Sequence, residues 1–135
     1  MGVDREGPIQ IAIIKYLRAI LPKECLVVHI KNEINKRGKA FAIEQAKAKR
    51  KGVVTGFPDL MVLPFVTVGP VFFEVKAKGN YATEAQKGIH KQITHLGYPC
   101  AVVRSVDDVR ECLFQWGILA VNTHSGKKQS GCIGG

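Results

Sequence analysis

The chain has 135 residues and a formal charge of +9 at pH 7, with 20 lysines and arginines against 11 acidic residues. This length suits one domain with a self-sufficient core, and the basic balance favours an acidic polymer such as nucleic acid as partner. No apolar run approaches the roughly 20 residues of a transmembrane helix, and a secretory signal is not evident, so we expect a cytoplasmic protein without a membrane partner.

The first part of the chain predicts a helix, a strand and a second helix. Apolar residues recur at helical spacing from Ile9 to Ile20, and Pro22 ends this first helix. The run CLVVHI at 25–30 predicts a strand. KAFAIEQAKAKRK at 39–51 predicts a helix whose end is crowded with basic residues.

Two apolar runs in the middle of the chain predict an antiparallel hairpin. They are LMVLPFV at 60–66 and VFFEV at 71–75, and Val68-Gly69-Pro70 between them carries the residues typical of a tight turn. The second run is apolar on both faces, as expected of a central strand in a covered sheet.

The last part predicts a helix, a strand and a final helix. An apolar core stripe at helical spacing comprises Ala85, Ile89, Ile93 and Leu96, and Gly97 closes the helix. CAVVRS at 100–105 predicts a buried strand, and Ser105 is suited to cap a helix that runs to Trp116.

The resulting element order is α, β, α, β, β, α, β, α, without an internal repeat. It predicts an α/β or α+β domain in which a central mixed sheet is flanked by helices. We expect this domain to span residues 1–121. Residues 122–135 are rich in Gly, Ser and Lys and lack periodicity, which predicts a flexible tail or interaction arm.

The hairpin is also where chemistry is expected. Glu74 and Lys76 point to the same face of the second strand, roughly 6–7 Å apart, and Asp59 stands at the start of the first strand, facing them. Two converging carboxylates make a hard oxygen site suited to Mg²⁺ or Mn²⁺, and a lysine beside them can orient water or balance charge on a phosphate. This combination suits metal-assisted hydrolysis of a phosphodiester.

Each of these signals is weak alone, because acidic residues begin many strands and a Glu-x-Lys pair is usually solvated. The apolar strand around Glu74 strengthens the interpretation, since an unpaired buried charge is costly and usually marks a site. The cysteines and histidines add no zinc pattern, and Cys25, Cys100, Cys112 and Cys132 are predicted to be unpaired thiols. His90 lies one helical turn after Gln86, so it either shares that groove or, as is more usual, is solvated.

An ordered set of motifs from Glu6 to Trp116 resembles the VRR-NUC family of the PD-(D/E)xK nuclease superfamily. The set comprises Glu6 with Gln10, Asn32-Glu33, GFPD at 56–59, EVK at 74–76, Gly79 with Thr83 and Gln86, and Gly97 followed by AVVRS at 101–105. The resemblance implies a restriction-endonuclease-like core.

It also implies a site. Asp59 and Glu74 would bind Mg²⁺ or Mn²⁺, with Glu6 and the carbonyl of Val75 as further candidate ligands, and Lys76 would assist the attacking water. Gln86 would support the site or the DNA. No nucleotide cofactor is implied. Stand-alone proteins of this size in the family resemble homodimeric enzymes that cut branched DNA such as four-way junctions, which makes branched DNA the preferred substrate and linear duplex the alternative.

Three residues named in this resemblance also fit a second interpretation. The helix either begins early enough to include Glu6 or begins at Pro8 and leaves it outside. Thr83 and Gln86 also fit a capping box, which accounts for Gln86 without a site. Glu33, in the loop 31–38, is a metal ligand, a dimer contact or simply solvated.

Five basic residues and one aromatic residue near the expected site are candidates for contacting DNA. They are Lys47, Lys49, Arg50, Lys51, Lys78 and Tyr81. The first four also suit a helix C-terminus on dipole grounds alone, and one loop tyrosine is thin support for base stacking. Two other functions remain open: a non-catalytic DNA-binding module, and a nuclease subunit that is inert without a partner.

Overall fold

The computed structural model describes residues 4–31, 38–64 and 68–119. Its elements follow one another in the predicted order. They are α1 (Glu6–Ile20), β1 (Leu26–His29), α2 (Gly38–Arg50), β2 (Leu60–Leu63), β3 (Val71–Val75), α3 (Glu84–His95), β4 (Cys100–Val103) and α4 (Val106–Gln115). The predicted tail 122–135 and the pair Asn32-Glu33 lie outside the described residues.

The four strands form one mixed sheet in the order β1, β2, β3, β4. β1 pairs antiparallel with β2, and β2 pairs antiparallel with β3, which confirms the hairpin. β3 then pairs parallel with β4, with α3 as the connection between them. β3 is therefore an interior strand, and all five of its residues are buried.

Several strand ends differ from the sequence prediction. β2 stops at Leu63 rather than at 66, and Pro64 follows it, a residue without an N–H for the ladder. β4 stops at Val103 because Ser105 already serves α4, accepting a hydrogen bond from the Asp108 backbone N–H at 3.1 Å. Cys25 lies one residue before β1, and Asp59 lies one residue before β2.

One face of the sheet carries the hydrophobic core. It joins residues of α1, of the strands β2, β3 and β4, and of α4: Ile13, Leu17, Leu60, Val62, Val71, Phe73, Val75, Val103, Val109 and Leu113. Phe73 stacks on Trp116 with ring centroids 5.4 Å apart. Each such side chain contributes roughly 1.5–3 kcal/mol on burial, so this face holds the fold together.

The opposite face of β3 presents Phe72 and Glu74 towards α3, because side chains alternate along a strand. Phe72 makes edge-to-face contacts with Phe57 and Tyr98, at centroid distances of 5.5 and 6.4 Å. The predicted apolar stripe of α3 is only partly correct. Ile93 is buried, but Leu96 is 67% exposed, since the helix has already ended beside it.

The cysteines in the described residues are free thiols, as expected: Cys25, Cys100 and Cys112. Burial raises the pKa of Cys100 to about 12 and that of Cys112 to about 11, so both stay protonated near neutral pH. None of the helices in the described part of the chain combines the length and apolar character that membrane crossing requires.

Candidate active site

Asp59 is held at the edge of the hairpin by backbone hydrogen bonds. Its carboxylate oxygen Oδ2 accepts from the Val75 N–H at 2.9 Å, and its carbonyl accepts from the Ile30 N–H at 2.7 Å. Pro58 beside it is fully buried. The β2–β3 register pairs Leu60 with Phe73, so Asp59 continues the ladder opposite Glu74. The expected meeting of the two carboxyl groups is therefore built into the strand register.

Glu74 is a charged side chain inside the fold, with only 2% of the residue exposed. Its Oε2 accepts a hydrogen bond from Gln86 Nε2 at 2.9 Å and lies 3.8 Å from Lys76 Nζ. Its Oε1 lies 3.8 Å from His90 Nε2. These last two atoms are buried and have no hydrogen-bond partner among the residues that the structure describes. A buried carboxylate oxygen without a hydrogen-bond donor lowers the stability of the fold by about 1–3 kcal/mol or more, and a bound ligand would remove this cost.

The surroundings of Asp59 favour its protonated form. Burial is the largest cause that raises the pKa of Asp59, to about 7, and the Glu74 carboxyl raises it further through charge repulsion and a hydrogen bond. The Val75 N–H and the Lys76 ammonium act in the opposite direction. A carboxyl group that is still protonated near neutral pH can exchange this proton for a metal cation, and the cation then stabilises the ionised carboxylate.

The chemistry of these donors fits a divalent cation. Both are carboxylates, the hard oxygen ligands that Mg²⁺ and Mn²⁺ prefer, and Glu74 offers a buried oxygen without a partner. Within residues 4–31, 38–64 and 68–119, no three His, Cys, Asp or Glu side chains converge on one metal position. Among the described residues, the side chains suited to such a site are this pair of carboxylates, and Mg²⁺ is usually held by one or two carboxylates together with several waters.

Glu6 is the first residue of α1, so the helix begins early enough to include it. Its Oε2 accepts hydrogen bonds from the Ala77 N–H at 3.2 Å and from Asn80 Nδ2 at 3.1 Å. Glu6 therefore anchors the segment that follows β3, and the structure does not bring it together with Asp59 and Glu74. Val75 contributes its N–H to Asp59.

Gln86 performs both of the roles that its sequence position predicts. It completes the capping box with Thr83, since its Oε1 accepts from the Thr83 N–H at 2.9 Å and its N–H donates to Thr83 Oγ1 at 3.1 Å. Its Nε2 is then free to donate to Glu74. The cap orients the amide, so the first turn of α3 aims a fixed donor at the buried carboxylate.

Gly56 explains how α3 approaches the GFPD segment so closely. Its φ is +91°, and a Cβ placed there would lie 2.6 Å from the Ala85 carbonyl oxygen and 2.9 Å from the Gln86 nitrogen. Only glycine permits both the backbone conformation and the contact. The segment that carries Asp59 is thereby set directly against the turn that carries Gln86.

The predicted DNA contacts fall into two separate groups. Lys47, Lys49, Arg50 and Lys51 are exposed at and just beyond the end of α2, and Lys47 lies 3.9 Å from Glu44. Lys78 and Tyr81 are exposed on the segment between β3 and α3, and Tyr81 is 74% exposed. Lys78 lies in a turn after β3, which the Asn80 N–H closes by donating to the Ala77 carbonyl at 3.0 Å.

The more usual interpretation of His90, a solvated surface residue, is wrong. Its side chain is 13% exposed and faces Glu74. The spacing of one helical turn from Gln86 was the available signal. Arg104 was not singled out at all. Its guanidinium lies 5.4 Å from the Tyr81 ring centroid. A contact between segments so far apart in the sequence cannot be predicted from a local sequence pattern.

Comparison with known proteins identifies the fold. A solved structure described as a VRR_NUC domain protein matches with 25% identity and a TM-score of 0.57, over 86% of this chain and 90% of that one. Another, described as a VRR_NUC domain, matches with 21% identity and a TM-score of 0.55, over 82% of this chain and 96% of that one. Comparisons with protein-family models and with curated proteins gave no match. The chain thus has the nuclease-type fold of VRR_NUC domains over most of its length, and its resemblance to the VRR-NUC family is confirmed at modest identity.

Proposed function

We propose that this protein is a Mg²⁺- or Mn²⁺-dependent endodeoxyribonuclease. The observation that carries the proposal is the buried Glu74 carboxylate, whose Oε1 accepts no hydrogen bond from the described residues, beside an Asp59 whose pKa is raised to about 7. Such a pair is costly without a ligand and is relieved by a divalent cation. The VRR_NUC fold supplies the reaction class.

The bound cation would supply Lewis-acid polarisation of the scissile phosphate. The other tasks fall to this chain's own side chains. Asp59 and Glu74 provide the carboxylate oxygens, and Gln86 fixes the Glu74 carboxylate through its Oε2. Lys76, whose side chain is 12% exposed, holds its ammonium 3.8 Å from Glu74, where it orients water or stabilises charge on the phosphate.

We further propose branched DNA, such as a four-way junction, as the substrate and a homodimer as the active form. Symmetric cutting of two strands needs two sites related by a two-fold axis, and a dimer of a small single-site domain provides them. The net charge of +9 favours a polyanionic substrate. Light scattering after gel filtration tests the dimer, since a monomeric mass at the concentrations used for cleavage would contradict it.

The deciding experiment is cleavage of labelled four-way junction, nicked, linear duplex and single-stranded DNA in Mg²⁺, Mn²⁺ or EDTA. We expect metal-dependent cleavage that Asp59→Asn, Glu74→Gln and Lys76→Met each reduce by about 10²-fold or more, as for loss of one transition-state contact. Asp107→Asn is the matched control, because its carboxylate is 85% exposed on α4, where it pairs with Arg110. It should cleave like wild type.

Two results would overturn the proposal. One is a wild-type protein that binds these DNAs and cuts none of them in either metal, which would favour a binding module or a subunit that needs a partner. The other is cleavage that survives in all three variants, which would indicate a contaminating nuclease. Symmetric cuts confined to the junction would support the dimeric form.

A further inference from the structure

A groove of about 930 Å³ adjoins the candidate active site. It lies between α3, the end of β4 and the segment that leads from β3 to α3. Its lining residues are Lys78, Gly79, Tyr81, Ala82, Lys87, His90, Lys91, Thr94, His95, Val102 and Arg104. His90 is shared with the active site, because its Nε2 lies 3.8 Å from Glu74 Oε1. The groove therefore ends at a side chain that lies directly beside the buried Glu74 carboxylate.

The lining is cationic without an acidic member. Lys87 and Lys91 lie one helical turn apart on α3, so they project from the same side of the helix. Lys87 lies 3.5 Å from Glu84, but both side chains are exposed, and such a pair contributes little. Lys87 and Lys91 therefore place two positive charges, one helical turn apart, where they can contact successive phosphates of a nucleic-acid strand.

Tyr81 forms an aromatic platform at the rim. One side of its ring faces the guanidinium of Arg104, and the residue is still 74% exposed. Arg104 is fixed in turn, since its Nη2 donates to the Asn80 carbonyl at 2.6 Å. A large exposed ring that is backed by a fixed cation is a suitable surface for stacking a base.

The position of Asn80 keeps this platform in place. Its side chain donates to Glu6 Oε2 at 3.1 Å and accepts from Arg5 Nη2 at 3.2 Å. The start of α1 therefore holds the segment before α3 against the end of β4. The stacking ring is preorganised rather than carried on a free loop, which lowers the entropic cost of binding.

We propose that this groove binds an unpaired strand of DNA, with its phosphates along Lys87 and Lys91 and a base stacked on Tyr81. A duplex keeps its base faces stacked inside, so it cannot use an exposed ring, whereas a single strand uses both the ring and the cations. The inference rests on the proposed nuclease function, which would give the bound strand its role. It adds α3 and Arg104 to the DNA surface and places the strand beside Glu74.

The test is fluorescence anisotropy of a short labelled oligothymidylate in EDTA, with a duplex of the same length as the second probe. Tyr81→Ala should weaken oligothymidylate binding between about 5- and 100-fold and change duplex binding less than 2-fold. Tyr81→Phe keeps the ring and should bind like wild type. Equal losses for both probes, or no loss for either, would overturn the stacking role.

The charge contribution is tested with a matched pair of double variants. Lys87→Gln with Lys91→Gln removes two charges from the groove, and Lys15→Gln with Arg18→Gln removes two exposed charges from α1. The first should reduce the slope of log affinity against log salt by about 1.4 for the single strand, and the second should leave it unchanged. Equal effects of the two double variants would overturn the proposed path.

These measurements also separate this inference from the nuclease proposal, because EDTA removes cleavage from the assay. Wild type that binds through Tyr81 and cuts no DNA in either metal would retain the groove and overturn the nuclease. Metal-dependent cleavage with oligothymidylate binding indifferent to Tyr81, Lys87 and Lys91 would retain the nuclease and overturn the groove.

Discussion

Asp59 lies beside the buried Glu74 carboxylate, so the protonation of Asp59 depends on that neighbour and would change if a cation bound to the pair. The folded protein raises the pKa of Asp59 from 3.8 to about 7. A folded state with the higher pKa binds a proton that the unfolded chain has already released. The stabilisation from this proton is complete below the unfolded pKa and is lost as pH rises towards 7.

We therefore predict that Asp59→Asn stabilises the protein in EDTA at pH 8, by roughly 1–2 kcal/mol once solvent screening of this half-buried group is allowed for. The asparagine can still accept from Val75. Urea denaturation from pH 4 to 8 should show wild type losing stability with rising pH and the variant losing less. Mg²⁺ or Mn²⁺ should restore wild type at pH 8 and leave Asp59→Asn unchanged. Parallel pH profiles in EDTA would contradict this.

The contact between the GFPD segment and the first turn of α3 is the element-scale feature that assembles the site. Gly56 permits it, whereas Gly52 provides a natural comparison. Gly52 also has a positive φ, +98°, but none of the described residues beyond its chain neighbours comes within 4 Å of where its Cβ would stand. The two glycines therefore separate backbone strain from steric overlap.

We predict that Gly56→Ala costs roughly 2–4 kcal/mol, as strain plus overlap, whereas Gly52→Ala costs about 1 kcal/mol from strain alone. Gly56→Ala should also displace Gln86 from Glu74 and reduce cleavage, while Gly52→Ala should cleave normally. Thermal unfolding and cleavage rates of the folded variants check both points. Equal costs for the two substitutions would show that the backbone contact is unimportant.

The helices and strands also show which features can be predicted from the sequence and which cannot. Hydrophobic periodicity predicted all eight elements in order, and the Glu74–Lys76 spacing predicted one face of the site. Strand ends were less accurate, because Pro64 and Ser105 act locally on runs that still look apolar. The exposure of Leu96, the burial of His90 and the partners of Glu6 depend on which surfaces meet, and a one-dimensional pattern does not record that.

At the scale of the whole molecule, the start of α1, the segment after β3 and the end of β4 meet at Asn80. Glu6 and Arg5 contact its side chain, and Arg104 donates to its carbonyl. Unlike the contacts of the hydrophobic core, the hydrogen bonds of this small network are exposed. Its contribution is to the shape of the DNA surface more than to the free energy of unfolding, since exposed hydrogen bonds are each worth about 1 kcal/mol or less.

We accordingly predict that Asn80→Ala lowers stability by only about 1–2 kcal/mol, as it loses two exposed contacts and keeps the backbone bond to Arg104. Hydrogen exchange of the segment between β3 and α3 should nevertheless accelerate, and oligothymidylate affinity should fall about 2- to 5-fold because the Tyr81 platform is less ordered. Arg5→Ala, which removes one of the two contacts, should give a smaller change in the same direction. Loss of affinity without faster exchange would contradict preorganisation and indicate that Asn80 contacts the DNA itself.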